Sequence, residues 1–296
     1  MKQSWTVCVI DTIRNTKSTN HKESALKSKL LAALAINLVI ACGFSCAFAQ
    51  TSTHTVKRPV ISDAERAVDI QAVANIMGRH AYYHGAGKNC EELDAIWAKH
   101  PPTVNTFTNP SGAWTGDHIR SSYCEANLDT ERKALVEVRK QYPEVPDSDA
   151  SLAAGEFLIH TLTTPIIEIA GDGKTAKGMW YSPGIGLGAT DGKEGKPGGI
   201  FFYEKYGVDF IKEDGQWKIW HIQMFYDYTG TLEHGVADVP VKLNVKKEAG
   251  EMQAVDPRMK QDKTNPNPYQ EWSPTRIPVM VPTPAPYYMF SETFSY

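Results

Sequence analysis

Histidine and tyrosine are the side chains in this chain best suited to moving a proton near neutral pH. His160 lies in Glu156–Ala170 (EFLIHTLTTPIIEIA), a strand-like alternation of apolar and small polar residues. An imidazole there could take a proton from carbon or give one to a departing hydroxyl. Tyr82 and Tyr83, followed by His84, close a helical stretch, and a tyrosine hydroxyl can polarise a carbonyl as an oxyanion-hole donor does. His221 and Asp227 belong to another apolar run, Trp217–Tyr228 (WKIWHIQMFYDY). Period two puts Trp217, Ile219, His221, Gln223, Phe225 and Asp227 on one face, which we assign to a cavity. Each candidate also has a plainer reading. A buried histidine can simply bond a neighbouring strand, two tyrosines can pack a helix end, and an aspartate can end a strand in solvent. Trp180 and Tyr181, in the run WYSPG, fit a cavity rim or the core. His84, Trp180, Tyr181, Trp217 and Phe225 are the candidate substrate contacts; His160, Tyr83, Tyr82, His221 and Asp227 are the candidate catalytic groups.

Other chemistries lack their patterns. Gly184-x-Gly186-x-Gly188 does not follow a strand and open a helix, so it is not a dinucleotide loop; it reads as a flexible lid or rim near the pocket. His80, His84, His100 and His118 fall on helical segments without a metal-ligand spacing. No nucleophile-elbow motif occurs. The expectation is cofactor-free and metal-free acid–base work.

The elements that must position these residues can be read in order. Ser62-Asp63-Ala64-Glu65 is a capping box, opening a helix that stops at Gly85 and Gly87. Val68, Ala72, Ile76 and Tyr83 form its apolar stripe. A second helix starts near Asn89 and ends at Pro101-Pro102. A short strand at Thr103–Thr108 and a turn at Asn109–Gly112 follow. Asp117 to Tyr142 is again helical, broken near Asn127–Asp129. Four strands come next, at Glu156–Ala170, Thr175–Ser182, Ile200–Lys212 and Trp217–Tyr228, with the compact glycine turns AGDGKT and EDGQ. Val239–Val245 is a candidate edge strand. Helices first and antiparallel strands after is an α+β order.

At His160–Glu168 with Gly171–Ala176, the strand-turn-strand run resembles the signature of SnoaL-like proteins of the nuclear transport factor 2-like superfamily. Glu213–Ile219 (EDGQWKI) is similar to the final hairpin of that domain. The resemblance spans roughly residues 60–230. It implies a cone-shaped curved antiparallel sheet wrapped over N-terminal helices, a cystatin-like α+β barrel with an internal cavity. It also implies dimers through the outer sheet face and a catalytic histidine at His160, in a dehydratase, isomerase or cyclase acting on a hydrophobic oxygenated small molecule. The fold hosts many functions, and a non-catalytic ligand-binding or dimerisation domain is the alternative. One departure matters: dehydratase-type relatives carry an acidic group after the helix-end tyrosines, and this chain has none between Tyr83 and Lys88. The carboxylate must come from elsewhere, or the chain lacks the reaction.

Composition bounds the partners. The chain has 296 residues, 22% charged, and a formal net charge of −3. Lys27 and Lys29 precede the apolar run Leu30–Cys42, and Ala47-Phe48-Ala49 offers a small-x-small cleavage pattern, as in an export signal. Removing residues 1–49, with six basic and two acidic groups, leaves about −7. No basic stripe remains for nucleic acid, no lysine-rich amphipathic helix for a membrane surface, and no membrane span follows the signal. The expected location is periplasmic or secreted. A lipid on Cys42 and a retained N-terminal anchor are the competing outcomes. Cys90 and Cys124 remain after the leader, as a disulfide or as two buried thiols. The expected organisation is signal 1–49, polar lead-in 50–60, SnoaL-like domain 61–235, and a Pro/aromatic-rich arm 236–296 that packs on its own domain or a neighbouring subunit.

Overall fold

The computed structural model describes residues 58–190, 195–232, 256–265, 272 and 275–296. The leader, with its cleavage and lipidation candidates, and the edge strand expected at Val239–Val245 lie outside the described residues. No described helix is long and apolar enough to cross a membrane.

Helix α1 (Asp63–Gly85) begins at the predicted capping box. The Glu65 amide donates to Ser62 Oγ at 3.2 Å and the Ser62 amide donates to Glu65 Oε2 at 2.8 Å. Its buried stripe is Asp69, Val73, Met77 and His80, one residue round from the predicted one. Val68 is exposed, and Ala72, Ile76 and Tyr83 only flank the core. The apolar count misleads here because the buried face carries polar residues with partners. Asp69 accepts from Lys212 Nζ at 2.9 Å and from Trp217 Nε1 at 2.8 Å.

Helix α2 (Asn89–Ile96) ends before the predicted Pro101 stop, because Trp97 turns extended and bridges Ile219. Strands β1 (Thr106–Asn109) and β2 (Gly112–Thr115) form a hairpin, and β1 runs parallel to the last strand. The third helical region is α3 (Asp117–Ile119), a π-helical segment Arg120–Ala126, and α4 (Asn127–Gln141).

The predicted strand Glu156–Ala170 is two strands, β3 (Glu156–His160) and β4 (Thr163–Ile169), both paired with β5 (Thr175–Gly188). Thr164 has a positive φ of 51° ahead of Pro165, and proline cannot donate to the ladder, so the register shifts there. Strands β6 (Gly198–Glu213) and β7 (Gln216–Thr231) complete the sheet, in the order β2-β1-β7-β6-β5-β3. Asp214 and Gly215 both have positive φ, as a two-residue hairpin turn between right-twisted strands requires. Gly184, Gly186 and Gly188 are paired residues of β5, not a lid. At Gly184 a Cβ would sit 2.3 Å from the Ile159 carbonyl oxygen, so glycine serves close strand approach.

A bulge between Asp209 and Phe210 on β6 leaves Trp220 of β7 unmatched. Alternation therefore inverts there. Trp217, Ile219, Ile222 and Met224 join the core under the helices. His221 and Phe225 turn to the opposite, outer face. There the C-terminal arm (275–296) covers part of the sheet, packing Val281 and Tyr296 against Met179 and Phe225.

Candidate functional site

The sheet's inner face, helix α1, the β1–β2 hairpin and the π-helical segment line an open cavity of ≈190 Å³, with His80, His84, Tyr123 and Tyr206 among its lining residues. His80 and His84 stand one turn apart on α1 with their rings stacked at 5.8 Å. Both lead to one carboxylate. Glu92 of α2 is fully buried. Its Oε1 lies 2.9 Å from His80 Nδ1 and accepts from Trp97 Nε1 at 3.0 Å. Its Oε2 accepts from the Tyr123 hydroxyl at 2.9 Å. Tyr123 Oη lies 2.9 Å from His84 Nδ1. Because the Tyr123 proton is directed at Glu92, His84 Nδ1–H donates to the phenol oxygen, and His84 Nε2 is left for the cavity side.

A second pair stands behind. His160, at the end of β3, has Nδ1 2.9 Å from Glu204 Oε1 of β6, beside Ser182 and Tyr206. The His160 ring lies 4.7 Å from that of His84.

Burial and neighbours divide these groups. Burial would push the Glu92 carboxyl up, but His80 and the indole of Trp97 outweigh it and hold it below the usual range. Burial alone would lower His80, and the Glu92 charge beside it raises it instead. His84 is pushed down to about 3 by burial and by the neighbouring His160 and His80. His160 falls to about 3, from burial and then His80. Glu204 rises to about 8 because it is buried, against bonds from Tyr206 and Ser182. Burial thus favours the uncharged forms of both Glu204 and His160. Near the cavity a raised His80 stands beside a lowered His84, and environments that separate pKa values in this way suit acid and base roles.

The π-helical turn that carries Tyr123 is a usual device for placing a side chain off the α-helical period. A disulfide joins Cys90 to Cys124. Cys90 is two residues before Glu92 and Cys124 is next to Tyr123, so the bond ties together the two elements that supply the relay.

The other candidates lie as follows. Tyr82 is 85% exposed and Tyr83 packs against the core edge; neither is among the residues lining the cavity. His221 is on the outer face, 2.9 Å from Asp209 and 3.1 Å from Ser295. Asp227 pairs with Lys205 and Tyr181 lies over the same lysine, on the outer side of the sheet. Trp180 and Trp217 are core residues. The buried carboxylate beside His80 and Tyr123 is Glu92, nine residues after Tyr83. The functional residues that sequence reasoning does not find are Glu92, Tyr123, His80 and Glu204. Two of them carry a legible signal. Glu92 shares a helical stripe with Leu93 and Ile96, and Glu204 alternates with Phe202, Tyr206, Val208 and Phe210. An acid inside an apolar pattern marks a buried, partnered charge. Among the described residues no group of acidic, histidine or cysteine side chains could hold a metal ion.

Together these features define a mixed α+β cone, with a curved, unclosed sheet holding a network of imidazoles and carboxyls over a small cavity. The chain belongs to the SnoaL-like domain family, whose sequence model matches residues 65–223. Among solved structures it is similar to a candidate scytalone dehydratase of Novosphingobium aromaticivorans. That match has 16% identity and a TM-score of 0.40, covering 61% of this chain and 94% of that one. A hexachlorocyclohexane dehydrochlorinase, LinA-type3, of Novosphingobium barchaimii matches at 20% identity and a TM-score of 0.38, over 60% of this chain and 99% of that one. A candidate dehydratase of the nuclear transport factor 2-like family from Streptomyces avermitilis matches at 15% identity and a TM-score of 0.37, over 54% and 96%. No curated protein sequence matches.

Proposed function

We propose that this protein is a cofactor-free acid–base enzyme of the lyase or isomerase type, transferring a proton at a carbon next to a carbonyl in a small oxygenated molecule. The observation that carries the reading is the chain His84–Tyr123–Glu92–His80, in which two cavity-lining imidazoles share one buried, ionised carboxylate. His84 is the proton acceptor. As its Nε2 gains a proton, Nδ1–H strengthens its bond to Tyr123, and Tyr123 passes the charge to Glu92. His80, held protonated by Glu92, is the donor that returns a proton to the substrate. Glu204 and His160 form a pair behind His84, and burial is the main cause that keeps His84 unprotonated at rest. The cavity is below the ~300–1,000 Å³ of drug-sized sites, which favours a single-ring substrate.

The test needs no known substrate. Cyclic ketones incubated with the protein in D₂O should lose their α-C–H signals by NMR, and Glu92→Gln should slow this by about 10²–10⁴-fold, the usual worth of a positioned acid or base. Ketone binding without exchange in the unaltered protein would replace this reading with the ligand-binding one. Export and a homodimer belong to the same proposal. The Cys90–Cys124 disulfide supports an oxidising compartment. Exposed apolar residues on β3, β5 and β6, Phe157, Ile159, Tyr181, Leu187 and Tyr203, support a partner surface. N-terminal sequencing of protein from a periplasmic fraction, and light scattering, check the two points.

A further inference from the structure

Residues 256–265 lie beyond the family-matched region, and one of them, Met259, lines the cavity. They are sewn to the β1–β2 hairpin and to the helical segment behind it. The Ala113 amide donates to the Lys263 carbonyl at 2.9 Å, and the Asp262 amide donates to the Ala113 carbonyl at 2.9 Å. Asp262 Oδ2 accepts from the Thr115 amide at 2.7 Å and from its hydroxyl at 3.0 Å. Asn265 Nδ2 donates to the Asn109 carbonyl at 3.0 Å. His118 clasps the segment at two points, Nδ1 to Asp262 Oδ1 at 2.7 Å and Nε2 to the Arg258 carbonyl at 3.0 Å. Arg258 is locked in turn by Asp129 of α4 at 2.6 Å and Asp256 at 2.7 Å. The approach is close: a Cβ on Gly112 would fall 2.5 Å from the Lys263 carbonyl oxygen.

This anchoring presents one side chain to the site. Met259 is a lining residue of the same cavity as His80, His84 and Tyr123. A thioether on three rotatable bonds fills an irregular gap and adapts to what it meets.

We propose that segment 256–265 is a size-selecting wall of the cavity and that Met259 is its specificity-determining residue, admitting single-ring ligands and rejecting fused two-ring ones. The proposal rests on the reading that substrate occupies this cavity, and it concerns which molecules enter rather than what happens to them. Selection by a wall costs the larger ligand a clash and the smaller one nothing.

The test is direct binding to the full chain, by calorimetry, with cyclohexanone as the one-ring probe and 2-decalone as the two-ring probe. Met259→Ala should bind 2-decalone at least tenfold tighter than the unaltered protein does, with cyclohexanone changed less than threefold. Met259→Trp should lose cyclohexanone while its melting temperature holds. Gly112→Ala, which pushes the segment away without altering a lining side chain, should shift selectivity in the same direction as Met259→Ala. Unchanged 2-decalone affinity in both Met259→Ala and Gly112→Ala overturns the proposal, as does absence of binding of either ketone to all forms. Binding that follows this pattern without deuterium exchange sinks the enzyme reading and leaves the wall standing.

Discussion

Tyr123 Oη is a single atom through which His84 reaches Glu92. Tyr123→Phe keeps the ring and its packing but cuts that connection, so exchange should fall by about 10–10²-fold with the fold intact. His84→Asn removes the acceptor and should fall further, within the 10²–10⁴ range of a positioned base. The pH dependence of stability follows from the same residues. His84 and His160 are each lowered to about 3 in the folded chain. Between that value and the unfolded histidine range the unfolded chain binds more protons, so stability rises with pH from about 3 to 6.5. Glu204 is raised to about 8. There the folded chain holds the extra proton, so stability falls as pH rises from the carboxylate range to about 8. The two limbs overlap, and because two histidines oppose one carboxyl, melting temperature plotted against pH should peak near the unfolded histidine value of about 6.5. Glu204→Gln should reduce the alkaline limb, to which the raised His80 also contributes, and His160→Gln should reduce the acid limb. An unchanged alkaline limb in Glu204→Gln would refute the assignment of a buried neutral acid.

At the scale of elements, the disulfide joins α2 to the π-helical segment across 34 residues. In the loop-closure account such a bond contributes about 3–4 kcal/mol. Replacing both cysteines by alanine should lower the melting temperature by roughly 6–16 °C, at about 2–4 °C per kcal/mol for a domain of this size, and slow exchange by loosening Glu92 against Tyr123. The sheet is legible in the sequence, because its turns are written in glycine and aspartate at Gly171–Lys174 and Asp214-Gly215. His160 is legible as a polar residue in a strand alternation. The rest is hidden for physical reasons. A bulge at Trp220 has no residue signature, yet it moves His221 and Phe225 to the other face of the sheet. The π-helical turn breaks the period that would mark Tyr123 as inward. The buried face of α1 is partly polar, so an apolar stripe one residue away points to Tyr83 instead of His80 and His84.

Over the whole molecule, the outer sheet face carries a second buried polar cluster. Lys177 and Asp209, both fully buried, form an ion pair. Phe290, Phe294 and Tyr296 of the C-terminal arm surround the ammonium at 4.3–5.0 Å. The Tyr296 amide donates to Asp209 Oδ2 at 2.9 Å, as does Ser295 Oγ at 2.9 Å. Removing one member of a buried pair costs about 3–5 kcal/mol, since the other charge is left uncompensated. Asp209→Ala should thus cost more stability than removal of the arm's last two residues, as measured by urea unfolding, and leave deuterium exchange per folded molecule unchanged.

The bond between Cys90 and Cys124 has one more consequence. The residues that would perform chemistry are held together by a link that forms only in oxidising surroundings. A newly made chain in a reducing cytosol would have its imidazoles in place and its relay unstapled. The step that matures the fold would then also tighten the site, so the proposed exchange would run slower before the thiols are oxidised than after.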